Sequence, residues 1–304
     1  MIYLNKINLP SDIREAGFFS KPLLTCYSNI YPFKIFPEKM LESVKFDNIT
    51  IFYGGNGSGK STLINVISTK MNAIRFSDFN NSHYFEDYLK MCSLDYYKNP
   101  KISYVLTSDD VFEYVLNART INENVEDKKN SLIERYDNIQ EQFMKDPSIY
   151  SFRGMHDFER WKEVKEVISP KRSKSSYIKN RSSRDIDLFS NGETALNYFY
   201  DKIDEDAVYF LDEPENSLSV EYQLDLAKYI LATSIATKSQ FIIATHSPIF
   251  WALENALIYN LDAYPVDTCA WTELPNVRKY YDFFMSHKDE FEEYQLWPNT
   301  KKVF

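Results

Sequence analysis

The chain has 304 residues, 44% of them hydrophobic, and its 35 basic and 44 acidic side chains give a formal net charge of −9 at pH 7. This length suits one large domain or two modest ones and supplies enough apolar side chains for a buried core. An acidic chain is not a surface devoted throughout to phosphate backbones, so a protein that coats nucleic acid is disfavoured.

Cysteine usage and hydropathy predict a cytoplasmic protein without direct membrane insertion. Cys26, Cys92 and Cys269 lie far apart with no C-x-x-C pair, which favours neither a disulfide framework nor a zinc site. The start, MIYLNKINLP, lacks the basic and long apolar regions of a signal peptide. The most apolar window, residues 241–261, contains a histidine, a proline and a glutamate, so it is unsuited to a membrane-spanning helix of about 20 apolar residues.

The first predicted elements are strands in residues 1–46, which we expect to contribute to an antiparallel edge. The next stretch, DNITIFYGGNGSGKSTLINVIST, predicts a β-strand, a glycine-rich loop and a helix in that order. Only seven glycines occur in the chain, yet four of them lie between positions 54 and 59. Glycine is favoured where the backbone needs a positive φ or approaches a ligand closely, so this concentration marks a site.

The segment Gly54–Ser61 fits the pattern G-x-x-x-x-G-K-[ST] of a phosphate-binding loop. In such a loop, backbone amides and a helix N-terminus surround the phosphates, Lys60 reaches the β and γ oxygens, and the Ser61 hydroxyl ligates Mg²⁺. A nucleotide and Mg²⁺ are therefore the predicted ligands. The nucleotide-binding residues predicted in this loop are Gly55, Asn56, Gly57, Ser58, Gly59, Lys60, Ser61 and Thr62.

The middle of the chain predicts a helical lobe inserted into an α/β core. NENVEDKKNSLIERYDNIQEQF and DFERWKEVKEVIS have helical spacing and high charge without a strand-like apolar run. We place the lobe at residues 109–184 and the core at residues 1–108 and 185–304. The basic segment PKRSKSSYIKNRSSR, residues 170–184, is read as a solvated loop or lid, with contact to nucleic acid as the less favoured alternative.

A second phosphate site is predicted after the lobe. Ser190, Asn191 and Gly192 precede a helical run in LFSNGETALNYF, so their amides and the serine hydroxyl can bind phosphate at a helix N-terminus. A serine N-cap with Glu193 nearby is the alternative. One chain has little use for two such sites on a single triphosphate, which makes this segment decisive for the class of protein.

Two later apolar runs, AVYFL at residues 207–211 and QFIIATH at residues 240–246, are typical of central strands of a parallel sheet, with a helix predicted between them. Asp212 and Glu213 follow the first run. The first carboxylate can hold Mg²⁺ through water, while the second can orient and deprotonate a water that attacks the γ-phosphate. In other proteins, an acidic pair after an apolar run is usually only a strand end with solvated charges. In a chain that also has a phosphate loop, the catalytic interpretation is favoured.

Four segments in this order, GGNGSGKST, FSNGE, FLDEPENSL and ATHSP, resemble the ATP-binding cassette (ABC) ATPases. The likeness is to their soluble members, the RecF-like, chromosome-maintenance-like, overcoming-lysogenization-defect-like and related AAA family ATPases. The resemblance implies an ABC-type P-loop ATPase head of the α/β class with a mixed or parallel sheet core. It also implies ATP as the nucleotide and ATP hydrolysis as the activity.

The same resemblance implies how the site is completed. In the family, the signature segment of one subunit closes on the nucleotide held by another, so Ser190, Asn191 and Gly192 would act in a homodimer that forms on ATP. His246 resembles the switch histidine that contacts the γ-phosphate, and it joins Glu213 and Lys60 as a predicted catalytic residue. Residues 215–217 occupy the loop that crosses the dimer interface in the family.

One departure from the transporter pattern concerns a glutamine that follows a strand several dozen residues after the lysine. The corresponding stretch, ISYVLTSDDVF, offers Thr107, Ser108, Asp109 and Asp110 but no glutamine. Coupling to membrane subunits is therefore in doubt. We predict that this segment faces the metal, with Asp109 joining Ser61 and Asp212 as metal ligands.

Three functions are compatible with these motifs. The first is a soluble ATPase that controls a separate effector chain, such as a nuclease or toxin in antiviral defence or genome maintenance, because the chain after His246 is too short for an attached nuclease domain. The second is the nucleotide-binding subunit of a membrane transporter. The third is a nucleic-acid-binding repair ATPase. The basic segment 170–184 supports this function, and the negative net charge disfavours it.

Overall fold

The computed structural model describes residues 2–20, 28–150, 157–169, 173–182, 191–203 and 206–293. The chain divides into two compact units, the first formed by Met1–Val111 with Ala195–Phe304 and the second by Phe112–Thr194. In the described part of the chain, no helix combines the length and the apolar character needed to cross a bilayer.

The strands are short, as the apolar runs of the sequence predict. They are β1 Leu4–Asn8, β2 Ser43–Lys45, β3 Ile49–Tyr53, β4 Ser93–Tyr96, β5 Ser103–Thr107, β6 Val208–Asp212, β7 Gln240–Ala244, β8 Leu257–Asn260 and β9 Asp267–Thr268. The helices are α1 Asp12–Phe19, α2 Lys60–Lys70, α3 Phe85–Met91, α4 Ser108–Lys145, α5 Phe158–Ile168, α6 Lys174–Arg181, α7 Asn191–Lys202, α8 Val220–Ala236, α9 Pro248–Trp251, α10 Pro275–Ser286 and α11 Lys288–Glu293.

The main sheet has six strands in the order β5-β6-β7-β3-β8-β9. The first five are parallel, and only β9 at the edge is antiparallel to its neighbour. The predicted strand–helix–strand unit is present as β6, α8 and β7, and the Ser219 hydroxyl caps α8 by accepting the amide of Tyr222 at 3.4 Å. The α/β class with a mostly parallel core is therefore confirmed.

Both faces of the main sheet are covered, which explains why its strands are continuous apolar runs. All five residues of β3 are buried. Phe52 packs in one hydrophobic cluster together with α2 and β1, whereas Ile51 and Tyr53 pack in a second cluster on the other face with α8 and α9. Successive side chains of a strand point to opposite faces, so one short strand contributes to two cores.

The N-terminal strands are antiparallel, as predicted, but they do not extend the main sheet. β1 pairs with β2 on one side and with β4 on the other, giving a separate three-stranded sheet in the order β2-β1-β4. Its buried side chains, among them Leu4 and Ile7, pack in the same cluster as α2. The two sheets therefore share one hydrophobic core without sharing a hydrogen-bonded edge.

The second unit is helical in its described residues. Its small core contains Tyr136, Val167 and Tyr177, from α4, α5 and α6. Ion pairs join the same helices: Lys174 to Asp137 at 2.7 Å and Arg181 to Glu166 at 2.5 Å. Both basic residues belong to the segment 170–184, which was predicted to be a solvated loop or lid and instead forms α6 at Lys174–Arg181. Part of its positive charge is neutralised within the unit, which bears on the less favoured alternative of contact with nucleic acid.

A buried acid in the first unit makes stability depend on pH. Glu15 is 2% exposed, its Oε2 accepts the amide of Lys34 at 2.7 Å, and its Oε1 has no hydrogen-bond partner among the described residues. Burial raises the pKa of Glu15 from 4.5 to about 7, and the Lys34 contact opposes this only in part. The folded state therefore holds the proton more tightly than the unfolded state, so stability falls as pH rises from about 4.5 to 7.

We expect Glu15→Gln to stabilise the protein at pH 8, by at most about 3 kcal/mol, because the neutral amide removes the cost of a buried charge. At pH 5 the gain should fall below about 1 kcal/mol, since the native carboxyl keeps its proton there and only part of the unfolded population gains from ionisation. Urea unfolding at both pH values measures this, with the exposed Glu42→Gln as control. An equal gain at both pH values would contradict the assignment.

Candidate functional site

The candidate site lies at one edge of the main sheet, where all five parallel strands have their carboxyl ends. The phosphate loop follows β3, the acidic pair ends β6, and His246 comes two residues after β7. Thr107 ends β5, and Asp262 comes two residues after β8. Side chains that follow parallel strands meet at the same edge, where ligands of open α/β sheets bind.

The phosphate loop needs its glycines for specific geometric reasons. Gly57 and Gly59 have φ of +77° and +99°, which side-chain-bearing residues rarely adopt. A Cβ added to Gly54 would lie 2.4 Å from the Ser58 hydroxyl oxygen, so this position has no room for a side chain. The loop borders a cavity of about 430 Å³ lined by Ile35, Asn56, Gly57, Ser58, Gly59, Lys60, Ser61, Thr62 and Glu213.

Lys60, the first residue of α2, is 4% exposed and points back into the loop. Its Nζ donates to the carbonyls of Gly54 and Gly55 at 2.9 and 3.1 Å and to His246 Nε2 at 2.8 Å. Because Nε2 accepts this hydrogen bond, the proton of the neutral imidazole lies on Nδ1. Burial lowers the pKa of Lys60, and the nearby carboxylates, first that of Glu213, oppose the shift.

Ser61 and Asp212, both predicted to be metal ligands, contact each other. The Ser61 hydroxyl donates to Asp212 Oδ1 at 3.0 Å. Burial raises the pKa of Asp212 to about 6, while the Ser61 hydrogen bond opposes the rise. One hydroxyl and one carboxylate are oxygen donors of the kind Mg²⁺ uses when substrate phosphates and water supply its other ligands, so these residues fit that ion.

Glu213 has an unusual backbone. Its φ and ψ are 51° and 52°, the left-handed region that a glutamate rarely occupies, and its amide donates to the carbonyl of Ala244 at 2.8 Å. Asn216 Nδ2 donates to Oε2 at 2.9 Å, and Oε1 lies 3.6 Å from His246 Nε2. The strained turn therefore holds the Glu213 carboxylate between Asn216 and His246.

Glu215 links the loop after β6 to the histidine segment. Its Oε2 accepts the Thr245 hydroxyl at 2.8 Å, and its Oε1 accepts the amide of His246 at 2.5 Å. Burial raises the pKa of Glu215, while these two donors favour the ionised form. The carboxylate thus fixes the backbone that carries the histidine side chain.

The residues that stand in place of the missing glutamine form a helix cap. Asp110 Oδ2 accepts the amide and the hydroxyl of Thr107 at 2.8 and 2.9 Å, and Thr107 Oγ1 accepts the amide of Asp110 at 3.2 Å. This reciprocal pair is a capping box, and its signal was present in the sequence as T-S-D-D. Asp109 is exposed in the first turn of α4, and its metal role stays a prediction.

The signature segment is only partly described. Asn191 begins α7, Gly192 follows it, and Arg119 donates a hydrogen bond to the Asn191 side-chain oxygen. Ser190 lies outside the described residues. The helix predicted after this segment is confirmed, whereas the phosphate-binding role of the three residues stays a prediction.

Sequence reasoning missed two charged residues at the site. Arg75, after α2, donates to Asn65 Oδ1 at 2.7 Å, and its pKa is lowered by burial against the opposing charges of Asp212 and Asp110. Asp262 accepts the amide of Gly55 at 2.8 Å through Oδ2. Neither residue belongs to a local pattern, so no signal in the sequence marks them.

A phosphate loop between β3 and α2, an acidic pair ending β6 and a histidine after β7 define an ABC-type P-loop ATPase head. The chain belongs to the family described as "AAA domain, putative AbiEii toxin, Type IV TA system", whose model matches residues 92–251. The class expected from the four motifs is therefore confirmed.

Solved structures of SMC head domains are also similar to this chain. The Smc head domain derived from Pyrococcus furiosus, bound to the C-terminal domain of ScpA, shares 14% identity over 95% of this chain and 100% of that chain, with a TM-score of 0.41. The SMC head domain from Thermotoga maritima shares 14% identity over 88% of this chain and 98% of that chain, with a TM-score of 0.37. No curated protein matches the sequence.

Proposed function

We propose that this chain binds and hydrolyses Mg-ATP in a head-to-tail homodimer and uses that cycle to control a separate effector chain. The observation that carries the proposal is the cluster around Lys60. Its ammonium contacts His246 at 2.8 Å, His246 lies 3.6 Å from Glu213, and Ser61 contacts Asp212 at 3.0 Å. These five side chains come from three neighbouring strand ends, and each has a role in phosphoryl transfer.

The hydrogen bonds of Lys60 support a response to phosphate. The ammonium donates to two loop carbonyls and to His246. Phosphate oxygens are stronger acceptors for a cation than neutral groups, so an arriving triphosphate would draw the ammonium away. His246 Nε2 then loses its donor, and the neutral tautomer with the proton on Nε2 can donate to the γ-phosphate.

Glu213 is the group proposed to act on water. Its carboxylate is anchored through Oε2 by Asn216, Oε1 lies on the side of His246, and the residue lines the cavity next to the loop. A carboxylate in that place can orient a water and accept its proton as the oxygen attacks phosphorus. Mg²⁺, held by Ser61 and Asp212, would neutralise phosphate charge when bound.

The proposal of a homodimer is based on the signature motif, and the proposal of an effector is based on the family. Asn191 and Gly192 open a helix, and a helix N-terminus favours phosphate, which supports a role on the nucleotide of a second copy. The family description refers to a toxin and a toxin–antitoxin system, which supports a partner that is a separate chain. We further propose a cytoplasmic location and a role in defence against viruses.

The alternatives have less support. The stretch at the end of β5 contains a capping box and no glutamine, so coupling of the transporter kind has no candidate residue there. For nucleic acid, Lys174 and Arg181 are already paired with acids. Neither observation favours a second function over the first.

Mixing two inactive variants tests the composite site. Ser190→Glu places a negative charge against the partner's γ-phosphate, and Lys60→Ala removes the phosphate-binding cation, so each variant alone should lose hydrolysis. Their heterodimer contains one site with an intact loop and an intact signature. Neither variant should pair with itself on ATP, so the dimers that form are mixed and each has one working site of two. An equal mixture should therefore recover up to about half of the parent rate if sites fire singly.

The controls for this experiment are binding and size measurements. Ser190→Glu should bind ATP as tightly as the parent does, but addition of ATP should not make this variant dimerise. Absence of recovery, together with demonstrated heterodimers, would contradict a composite site that fires singly. A parent protein that never hydrolyses ATP would contradict the proposed activity itself.

A further inference from the structure

Three contacts hold the residues that follow β8, and two of them reach the end of β3 or the start of the phosphate loop. Lys39 Nζ donates to the carbonyl of Leu261 at 2.6 Å. The amide of Leu261 donates to the carbonyl of Tyr53, the last residue of β3, at 2.8 Å. The amide of Gly55 donates to Asp262 Oδ2 at 2.8 Å, and this last contact alone depends on the carboxylate at position 262.

The carboxylate lies directly against the two adjacent glycines. A Cβ on Gly54 would be 3.2 Å from Asp262 Oδ1, and a Cβ on Gly55 would be 3.6 Å from Oδ2. The amide of Asp262 in turn donates to Asn260 Oδ1 at 3.0 Å, so the residue that holds the loop is itself held by a turn. The approach to Gly54 is tighter than an ordinary side-chain contact, whereas a Cβ on Gly55 would make an ordinary van der Waals contact.

We infer that Asp262 is a positioning residue of the nucleotide site, fixing the Gly54–Gly55 peptide so that the loop is preorganised for phosphate. Consecutive glycines have the greatest backbone freedom. A loop that becomes ordered only on binding has a lower affinity for its ligand, because the ordering costs free energy. A carboxylate acceptor on the Gly55 amide removes this freedom before the nucleotide arrives. The consequence for affinity rests on the proposed nucleotide binding, whereas the effect on the loop does not.

The effect of Asp262 on the loop can be measured in the nucleotide-free protein. In Asp262→Ala, amide hydrogen exchange across residues 54–61 of the nucleotide-free protein should be faster than in the parent, because the Gly55 amide loses its acceptor. Asp262→Asn keeps an acceptor oxygen, so its exchange should stay near that of the parent. Titration calorimetry with Mg-ADP should show about fivefold to tenfold weaker binding for the alanine variant and a smaller loss for asparagine.

The matched control is Asp267→Ala. Asp267 is an exposed aspartate of the same hairpin, and its Oδ1 also accepts a backbone amide, that of Thr268 at 2.7 Å. It should leave both the exchange of the loop and the affinity for Mg-ADP unchanged. Parent-like exchange or parent-like affinity in Asp262→Ala would overturn the inference, as would an asparagine variant that behaves like alanine. Failure of the parent to bind Mg-ADP and Mg-ATP would instead overturn the proposed function.

Discussion

Replacing Glu213 by glutamine is expected to reduce ATP hydrolysis by about 100- to 10,000-fold, because the amide keeps the shape of the side chain and cannot accept a proton from water. Binding of Mg-ATP should persist, since Lys60, Ser61 and Asp212 are unchanged. The hydrogen bond from Asn216 can also persist, because the glutamine Oε1 is an acceptor. Steady-state phosphate release and equilibrium binding of ATP measure the two effects separately.

Slow hydrolysis in this variant should also trap the ATP-bound dimer. Light scattering with saturating Mg-ATP is expected to give twice the mass of the nucleotide-free chain. The matched control is Glu221→Gln, which changes an exposed glutamate at the start of α8 and should behave as the parent does. A Glu213→Gln protein that binds ATP and stays monomeric would contradict the dimer sandwich.

Lys60→Ala is expected to weaken binding of Mg-ATP by about 100-fold or more, because the variant loses a desolvated cation and its charge-assisted hydrogen bonds to phosphate. The fold should survive. Burial lowers the pKa of Lys60, which means that the folded protein already carries a cost for this charge, and alanine removes that cost. Fluorescence titration with a labelled ATP and thermal unfolding without nucleotide measure the two quantities.

Lys70→Ala is the control for this variant, because it removes a lysine from the other end of the same helix, where Nζ contacts the carbonyl of Leu89 at 2.8 Å. That variant should keep its affinity for ATP. If Lys60→Ala bound ATP as tightly as the parent, the assignment of the phosphate loop would be wrong.

The parts of the fold that the sequence predicted are those set by local pattern. The β3–loop–α2 unit, the strands β6 and β7 and the helix between them all depend on short-range periodicity and on glycine placement. The antiparallel N-terminal strands were predicted, but not their separate sheet. Their pairing partner β4 lies about 85 residues along the chain from β1, and no local pattern reports such a contact.

The candidate site shows the same division at the level of single residues. Lys60, Ser61, Asp212 and Glu213 were named from motifs, and the structure brings them together with His246. The capping role of Asp110 has a signal in the sequence, because a threonine followed three residues later by an aspartate is a capping pattern. Arg75 offered no such signal, because the acids near it in space, Asp110 and Asp212, lie at the ends of two different strands.

The sequence by itself determined the class of this protein, because a phosphate loop is a continuous segment whose chemistry depends on the residue types and spacing within it. The tertiary structure alone decided what surrounds that loop. His246 meets Lys60 across 186 positions and Asp262 meets Gly55 across 207, because the strands that precede them flank β3 in the sheet. The order of strands in a sheet is set by the packing of whole elements, so the contact of the histidine with Lys60 and the contact of Asp262 with the loop become visible only when the strands are assembled.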